Sequence, residues 1–167
     1  VGRQALYSLT TGQYNTGIGY QTAYYTTSGG NNLALGASAL QRNTTGSYNI
    51  AIGSFAGAYQ ANGSTALADP ENSIYIGANT RGFNNDDSNS IVIGYGAIGI
   101  GANKTVIGST STTMTALFGA LRIPQLAAAP TGEAGHTLIY AKDNGSGKTQ
   151  LCCKLGDDVE IVLATQA

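Results

Sequence analysis

Short apolar stretches that end in a glycine recur along residues 1–108, and the clearest copies read NSIYIG at 72–77 and NSIVIG at 89–94. In most copies, apolar side chains lie one and three positions before the Gly, with a further residue between them. This period of two predicts one short β-strand per repeat. The residue directly before the Gly is interpreted as the inward-facing core column of the repeat, formed by Ile18, Leu35, Ile52, Ile76, Ile93 and Ile107.

The glycines that close these strands are separated by 17, 17, 24, 17 and 14 residues. A unit of that length with Gly-marked corners is too small for a hairpin domain and matches one coil of a parallel β-solenoid. The long fourth repeat requires an insertion, which we assign to STALADP at 64–70. Small residues stand three positions after each Gly and predict a second short strand or a bend packed on the first: Ala5, Thr22, Ala39, Ala56, Thr80 and Ala97.

Asparagines recur just before the strands. Asn15, Asn32 and Asn49 each stand four positions before the closing Gly of their repeat. Stacked Asn side chains hydrogen-bond to one another from layer to layer. We therefore expect a ladder of Asn residues that holds successive coils in register.

The strands are apolar on both faces, because the column between the two apolar positions holds Ala34, Ala51, Tyr75, Val92 and Val106. A strand of this kind needs cover on both sides. Residues 1–108 contain no helical pattern that would provide it. We therefore expect another copy of the same chain to cover the second face around a symmetry axis.

The repeats NSIYIG and NSIVIG, together with the last unit YGAIGIGANKTVIG at 95–108, resemble the left-handed β-roll head of the trimeric autotransporter adhesins, known as YadA-like heads. The resemblance covers residues 1–108. It implies a homotrimer of parallel β-rolls whose strands pack about the threefold axis.

Beyond the repeats, residues 109–135 are expected to form a neck or linker, and residues 136–167 a small C-terminal β-domain. Alternating apolar positions predict three strands there, at 137–142, 149–155 and 159–164. This layout and the stretch IYAKDNGSGKTQL resemble the small β-structured ends of bacteriophage tail and head fibres, in which YadA-like repeats also occur. The predicted fold class is all-β: a trimeric left-handed parallel β-roll or solenoid followed by a small antiparallel β-domain.

Charge excludes several classes of function. Only 10 % of the residues are charged, against roughly 25 % in an average domain, and the net charge is −1. Without a basic cluster we expect no nucleic-acid binding, and without an apolar run of about 18 residues we expect no membrane insertion. Because Val1-Gly2 match the end of an earlier repeat and no initiator Met precedes them, we expect the chain to be the C-terminal part of a longer protein.

Candidate chemical sites are few. The stretch GSGKT at 145–149 invites comparison with a phosphate-binding loop, but that motif requires a Gly where Lys142 stands and a helix after Thr149, so a hairpin turn is favoured. His136, the only histidine, has no Ser and Asp partners at a suitable spacing. Asp86 and Asp87, repeated around a trimer, would suit a cation, although solvated turn residues are favoured. We expect no catalytic, cofactor-binding or metal-binding residues.

Cys152 and Cys153 are adjacent, so their side chains point to opposite faces of a strand and do not bridge one another. Buried, reduced thiols are favoured, with an interchain disulfide as the alternative.

Nine of the ten tyrosines lie within residues 1–95. Tyr75 is expected at the trimer axis, whereas Tyr7, Tyr24, Tyr25 and Tyr59 fall in the variable half of the coil. Exposed rings among amides and hydroxyls suit sugar recognition, because a ring offers an apolar face. Packing between subunits is the alternative interpretation.

These features predict a structural and adhesive segment of a bacteriophage tail or head fibre, a homotrimer on the virion that contacts other virion proteins and attaches to a host-surface glycan or protein receptor. Three shallow sites on one trimer would act by avidity. One alternative is a fragment of a bacterial trimeric surface adhesin, located at the cell surface, and another is a polysaccharide-degrading tailspike with paired carboxylates. The Thr pairs at 10–11, 26–27 and 44–45 raise an ice-binding solenoid, which is disfavoured because adjacent side chains on a strand face opposite ways. We expect neither enzyme activity nor a cofactor.

Overall fold

The computed structural model describes residues 1–85, 87–116, 125–126, 138–143, 146, 148–154 and 160–165. In this part of the chain every regular element is a β-strand and none is a helix. The chain divides into two units, Val1–Thr115 and Ala116–Ala167. The all-β prediction is confirmed.

The first unit is a parallel β-solenoid in which each coil contributes one strand. Its six strands lie in chain order in a single sheet, and every neighbouring pair is parallel. The register places Ile18 beside Leu35 and Leu35 beside Ile52, so equivalent positions of the repeat stack directly. The strands are β1 (Thr16–Ile18), β2 (Leu33–Leu35), β3 (Ile50–Ile52), β4 (Ile74–Ile76), β5 (Ile91–Ile93) and β6 (Thr105–Ile107).

The interior of the coils is formed by the middle residue of each strand, and the predicted core column was therefore wrong. Ala34, Ala51, Tyr75 and Val92 are fully buried. The six residues assigned to the core lie on the outer face of the sheet: Ile18, Leu35 and Ile107 are 46 %, 40 % and 54 % exposed, and Ile52, Ile76 and Ile93 are half-buried.

The physical reason is the narrow interior of the coil, which accommodates few large side chains at each level. The strand residue Gly17 is small, and a Cβ there would lie 3.2 Å from Cγ of Leu6 on the opposite wall. At the level of Tyr75 the relation is reversed, because the opposite wall carries Gly57, whose missing Cβ would lie 2.7 Å from the Tyr75 ring. In both coils a small residue on one wall faces a large side chain on the other, so the interior stays filled.

The segment after each closing Gly is a bend rather than a second strand. Its small residues are buried as predicted, since Thr22, Ala39, Ala56, Thr80 and Ala97 pack inside the coil. The closing glycines also stack. At Gly36, with φ of 126°, an added Cβ would lie 2.7 Å from the Gly53 carbonyl oxygen of the next coil, so only Gly fits this column.

The predicted Asn ladder is present in the first three coils. Nδ2 of Asn32 donates to Oδ1 of Asn15 over 3.1 Å, and Nδ2 of Asn49 donates to Oδ1 of Asn32 over the same distance. Each amide also donates to a turn carbonyl, as Asn32 does to Gly46 over 2.9 Å. The ladder continues through Ser73, whose backbone N–H donates to Oδ1 of Asn49 over 3.0 Å.

The insertion of the long repeat is a small hairpin, displaced from the predicted position at 64–70. Tyr59 and Ala66 form an antiparallel bridge, and the Gln60 N–H donates to the Thr65 carbonyl over 2.9 Å. Ala68 already belongs to the coil again, because its carbonyl accepts the Thr44 N–H over 2.7 Å. The extra residues are therefore about 60–66.

The second unit contains a four-stranded sheet whose strands lie in the reverse of their chain order. The three predicted strands are confirmed within about a residue at each end as β8 (Leu138–Asp143), β9 (Thr149–Lys154) and β10 (Glu160–Thr165), which pair antiparallel. The short strand β7 (Gln125–Leu126) pairs parallel with β8 and was not predicted, since it falls in the expected linker.

Candidate functional site

The outer face of the six-stranded sheet carries aliphatic side chains from every coil. Two of the three residues of each strand point outward, and the middle residue points inward. We call the resulting surface the aliphatic stripe. Its members are Ile18, Leu33, Leu35, Ile50, Ile52, Ile74, Ile76, Ile91, Ile93 and Ile107, all exposed or half-buried. Contiguous apolar surface of this kind marks an interaction site on a soluble protein.

A second surface is aromatic and lies on the bend side of the coils. The Tyr7 and Tyr24 rings stack with centroids 5.1 Å apart and an interplanar angle of 7°. Tyr25 meets Tyr24 edge-on at 4.7 Å. Three of the four tyrosines singled out from the sequence, Tyr7, Tyr24 and Tyr25, are thus brought together, and the fourth, Tyr59, belongs to a later coil.

Arg42 joins the early and late members of this aromatic surface. Its guanidinium lies 5.5 Å from the Tyr25 ring centroid and 5.6 Å from that of Tyr59, so it is held between two rings. Nε of Arg42 is buried without a hydrogen-bond partner among the described residues. Cation–π contact with two rings offsets part of that cost. Both rings and the guanidinium are therefore engaged within the chain.

A groove of about 410 Å³ opens between the bend and the inserted hairpin. Phe55 and Tyr59 form one wall, with ring centroids 6.2 Å apart, and the exposed Tyr95 forms another side. Arg81 and the exposed amide of Asn79 supply its polar groups. Nη1 of Arg81 donates to the Ala61 carbonyl of the hairpin over 3.0 Å, which fixes the guanidinium in place.

The volume lies within the roughly 300–1,000 Å³ typical of ligand pockets. Its combination of aromatic walls with a small number of fixed polar groups is also characteristic of binding sites. Sequence reasoning proposed Tyr59 as a candidate but missed Phe55, Arg81 and Tyr95. Their spacing carries no recognisable motif, and only the inserted hairpin brings them together.

Two candidates from the sequence lie inside the solenoid instead of on its surface. The Tyr75 hydroxyl donates to Oδ2 of the fully buried Asp87 over 3.0 Å, and Ser90 donates to Oδ1 over 2.8 Å. Tyr75 is therefore a residue of the coil interior, not of an exposed axis-facing surface, and Asp87 is not a solvated turn residue. Burial and the neighbouring Asp87 carboxylate raise the pKa of the Tyr75 phenol well above its usual range. Asp86 lies outside the described residues.

The remaining candidates contribute no assembled site in the described part of the chain. Strand β9 begins at Thr149, so a strand and not a helix follows the GSGKT stretch, as the hairpin interpretation requires. Cys152 is buried and Cys153 is half-buried, both as free thiols. His136 lies outside the described residues. Among those that are described, no three His, Cys, Asp or Glu side chains cluster as metal ligands would.

Comparison with known proteins finds no matching family model, no matching curated protein and no matching solved structure. The part of the chain that the structure describes also contains no helix long and apolar enough to cross a bilayer.

Proposed function

We propose that this chain is an adhesive segment of a homotrimeric bacteriophage tail or head fibre, which attaches the virion to a host surface. The observation that carries the proposal is the aliphatic stripe. A parallel sheet is normally covered on both faces, whereas here one face packs inside the coil and the other is exposed.

A further copy of the same chain is the partner that best matches this stripe. Successive strands repeat at about 4.8 Å, and a second solenoid presents aliphatic side chains at the same interval along its whole length. Such matching extends over all six strands only between two structures of equal period. In an oligomer with closed cyclic symmetry, the aliphatic stripe of every subunit is covered by a neighbouring subunit.

The placement on a virion is supported by the resemblance of the repeats and of the C-terminal β-unit to fibre components. It is also supported by the uncharged, hydroxyl- and amide-rich surface, which suits weak contacts with host glycans. Three identical sites on one trimer multiply such contacts into durable adsorption.

The oligomeric state is the first test. Light scattering coupled to gel filtration should give about three times the chain mass of 17.0 kDa. A mass equal to one chain would contradict the proposal.

A pair of variants then locates the interface. Leu35→Asp places a charge in the aliphatic stripe, and we expect it to dissociate the trimer, because a buried unpaired charge is strongly unfavourable. Ser28→Asp adds the same charge at an exposed turn and should leave the trimer intact. Equal behaviour of the two variants would show that the stripe is not the interface.

Antibody labelling in electron microscopy distinguishes the fibre from the alternatives. Antibodies raised against the chain should label appendages of virions and not the surface of uninfected bacteria, which would indicate an adhesin. Release of reducing sugars from host polysaccharide would instead indicate a degrading tailspike.

A further inference from the structure

We infer that the groove between the bend and the inserted hairpin binds a saccharide that carries a carboxylate, such as a uronic acid. The inference deepens the proposed attachment role, on which it rests, by naming the class of receptor. Every described residue that lines the groove belongs to the first unit of one chain.

The aromatic lining provides the contact for the sugar ring. Phe55 is 37 % exposed and Tyr95 is 77 % exposed, so both rings present surface to the groove and to solvent. An aromatic ring offers an apolar face with a negative quadrupole, which attracts the weakly positive C–H groups on one face of a pyranose. The Asn79 amide, which is also exposed, can donate to and accept from sugar hydroxyls.

Arg81 provides the preference for a carboxylate. Among the described residues it is the only charged one in the lining, and no carboxylate of that part of the chain forms an ion pair with it. Within the described part of the chain only Nη1 is engaged, by the Ala61 carbonyl, and further N–H groups of the guanidinium fork remain for a ligand. A planar fork of N–H donors matches the geometry of a carboxylate and binds it in bidentate fashion.

The inserted hairpin makes the site specific to one level of the solenoid. The Ala61 carbonyl that orients Arg81 and the Gly63 that borders the groove both belong to this insertion. At Gly63 an added Cβ would lie 2.6 Å from Nη1 of Arg81, so the hairpin approaches the guanidinium as closely as a Gly allows. The regular coils of 17 residues lack this hairpin and therefore lack the second wall.

The experiment is ligand-observed NMR on the full chain with trisaccharides of galacturonate, glucuronate and mannuronate, each paired with its methyl ester. At least one acid should bind, and its methyl ester should bind about tenfold or more weakly, because the ester loses a charged hydrogen bond. Equal binding of acid and ester, or no binding of any acid in the millimolar range, would overturn the inference.

Variants assign the binding to the groove. Tyr95→Ala should weaken binding of the acid about tenfold, whereas Tyr14→Ala, which removes a ring of similar exposure (80 % against 77 %) from another column, should have no effect. Arg81→Gln should remove the difference between acid and ester, with thermal unfolding used to verify that the variant is folded. Unchanged binding in Tyr95→Ala and Arg81→Gln would overturn the site.

The failure of this inference can be told apart from failure of the proposed function. A trimer by light scattering that binds no acidic saccharide overturns the groove and leaves the fibre proposal standing. A monomer that binds the acid but not its ester supports the groove and contradicts the trimeric fibre.

Discussion

The hydroxyl of Tyr75 donates to Oδ2 of Asp87 over 3.0 Å in the closed interior of the solenoid. Both side chains are fully buried, and the carboxylate also accepts from Ser90 over 2.8 Å. At the strand position of Tyr75 the two preceding coils carry the small residues Ala34 and Ala51. The hydrogen bond between Tyr75 and Asp87 joins β4 to the turn that precedes β5.

Removal of the Tyr75 hydroxyl should destabilise the solenoid without changing its packing. We expect Tyr75→Phe to lower the free energy of unfolding by about 1–3 kcal/mol, because the buried carboxylate loses a donor. Urea denaturation measures the change. The matched control Tyr14→Phe alters a ring that is 80 % exposed and should have an effect within about 0.5 kcal/mol. Equal stability of the two variants would show that the hydrogen bond contributes little.

The raised pKa of Tyr75 predicts an alkaline dependence of stability. The phenol ionises at about pH 10 in the unfolded chain but stays protonated above that pH in the folded state. The folded state therefore binds more protons above pH 10, and stability falls as pH rises. The slope attributable to this residue is about 1.4 kcal/mol per pH unit. Denaturation of the wild type and of Tyr75→Phe between about pH 9 and 11.5 measures it. Parallel profiles for the two proteins would contradict the prediction.

The Asn ladder should be sensitive to an isosteric change. Asn32→Asp removes the two donors to Asn15 and Gly46 and places a negative charge beside the Asn15 side-chain oxygen. We expect a loss of about 3–5 kcal/mol near neutral pH, the cost of an unpaired buried charge.

Partial recovery of that loss in acid, as the new carboxyl becomes protonated, would separate the effect of charge from that of shape. Asn31→Gly serves as the control, because Asn31 is exposed and has a φ of 57°, which Gly adopts freely. A similar loss in both variants would indicate that the ladder has no special role.

The stacked glycine column should tolerate no side chain. Gly36→Ala combines an unfavourable φ of 126° with a Cβ placed 2.7 Å from the backbone of Gly53. The expected loss is about 3 kcal/mol or more. Gly96→Ala is the matched control, since its φ is also positive but no atom lies within 4 Å of the added Cβ. That variant should lose only about 1 kcal/mol. Thermal unfolding measures both variants, and an equal loss of stability in the two would contradict the prediction.

Tyr48 should be replaceable with a gain in stability. It has a φ of 60°, and the equivalent positions of other coils carry Asn31, Asn72, Asn89 and Asn103 with similar φ. Because Asn tolerates the left-handed region better than Tyr, we expect Tyr48→Asn to raise the free energy of unfolding by about 1 kcal/mol. The reciprocal change Asn72→Tyr should lower it by a similar amount. A loss of stability in Tyr48→Asn would mean that the exposed ring makes a contact within the assembly that outweighs the strain.

The sequence predicted the solenoid because its strands, turns and Asn ladder recur at a fixed period, and each is a local property. It did not predict which face of the strand points inward. Both columns are apolar, and the larger side chains, such as Ile93, were assigned to the interior ahead of Val92. The interior is narrow, so it selects by volume and not by hydrophobicity, and volume across a coil depends on facing residues such as Gly57 that are distant from the strand in sequence.

The candidate groove was even less accessible from the sequence. Phe55, Arg81 and Tyr95 belong to three successive coils, and the inserted hairpin lies between the first two of them in the sequence. The bridge between Tyr59 and Ala66 marks where the insertion begins, whereas turn composition alone placed the insertion several residues too late. Period and composition identify a coil, whereas the groove arises from the coil that carries the insertion.

The exact superposition of Ile18, Leu35 and Ile52 has a consequence for how such chains change length. Duplication or deletion of 17 codons within residues 19–52 would keep equivalent positions of the repeat in register at the new junction, because each coil meets only its two neighbours. One such event alters the reach of the molecule by about 4.8 Å. Length can therefore be adjusted in whole steps by slippage of the gene, while the irregular coil that forms the groove is carried along unaltered.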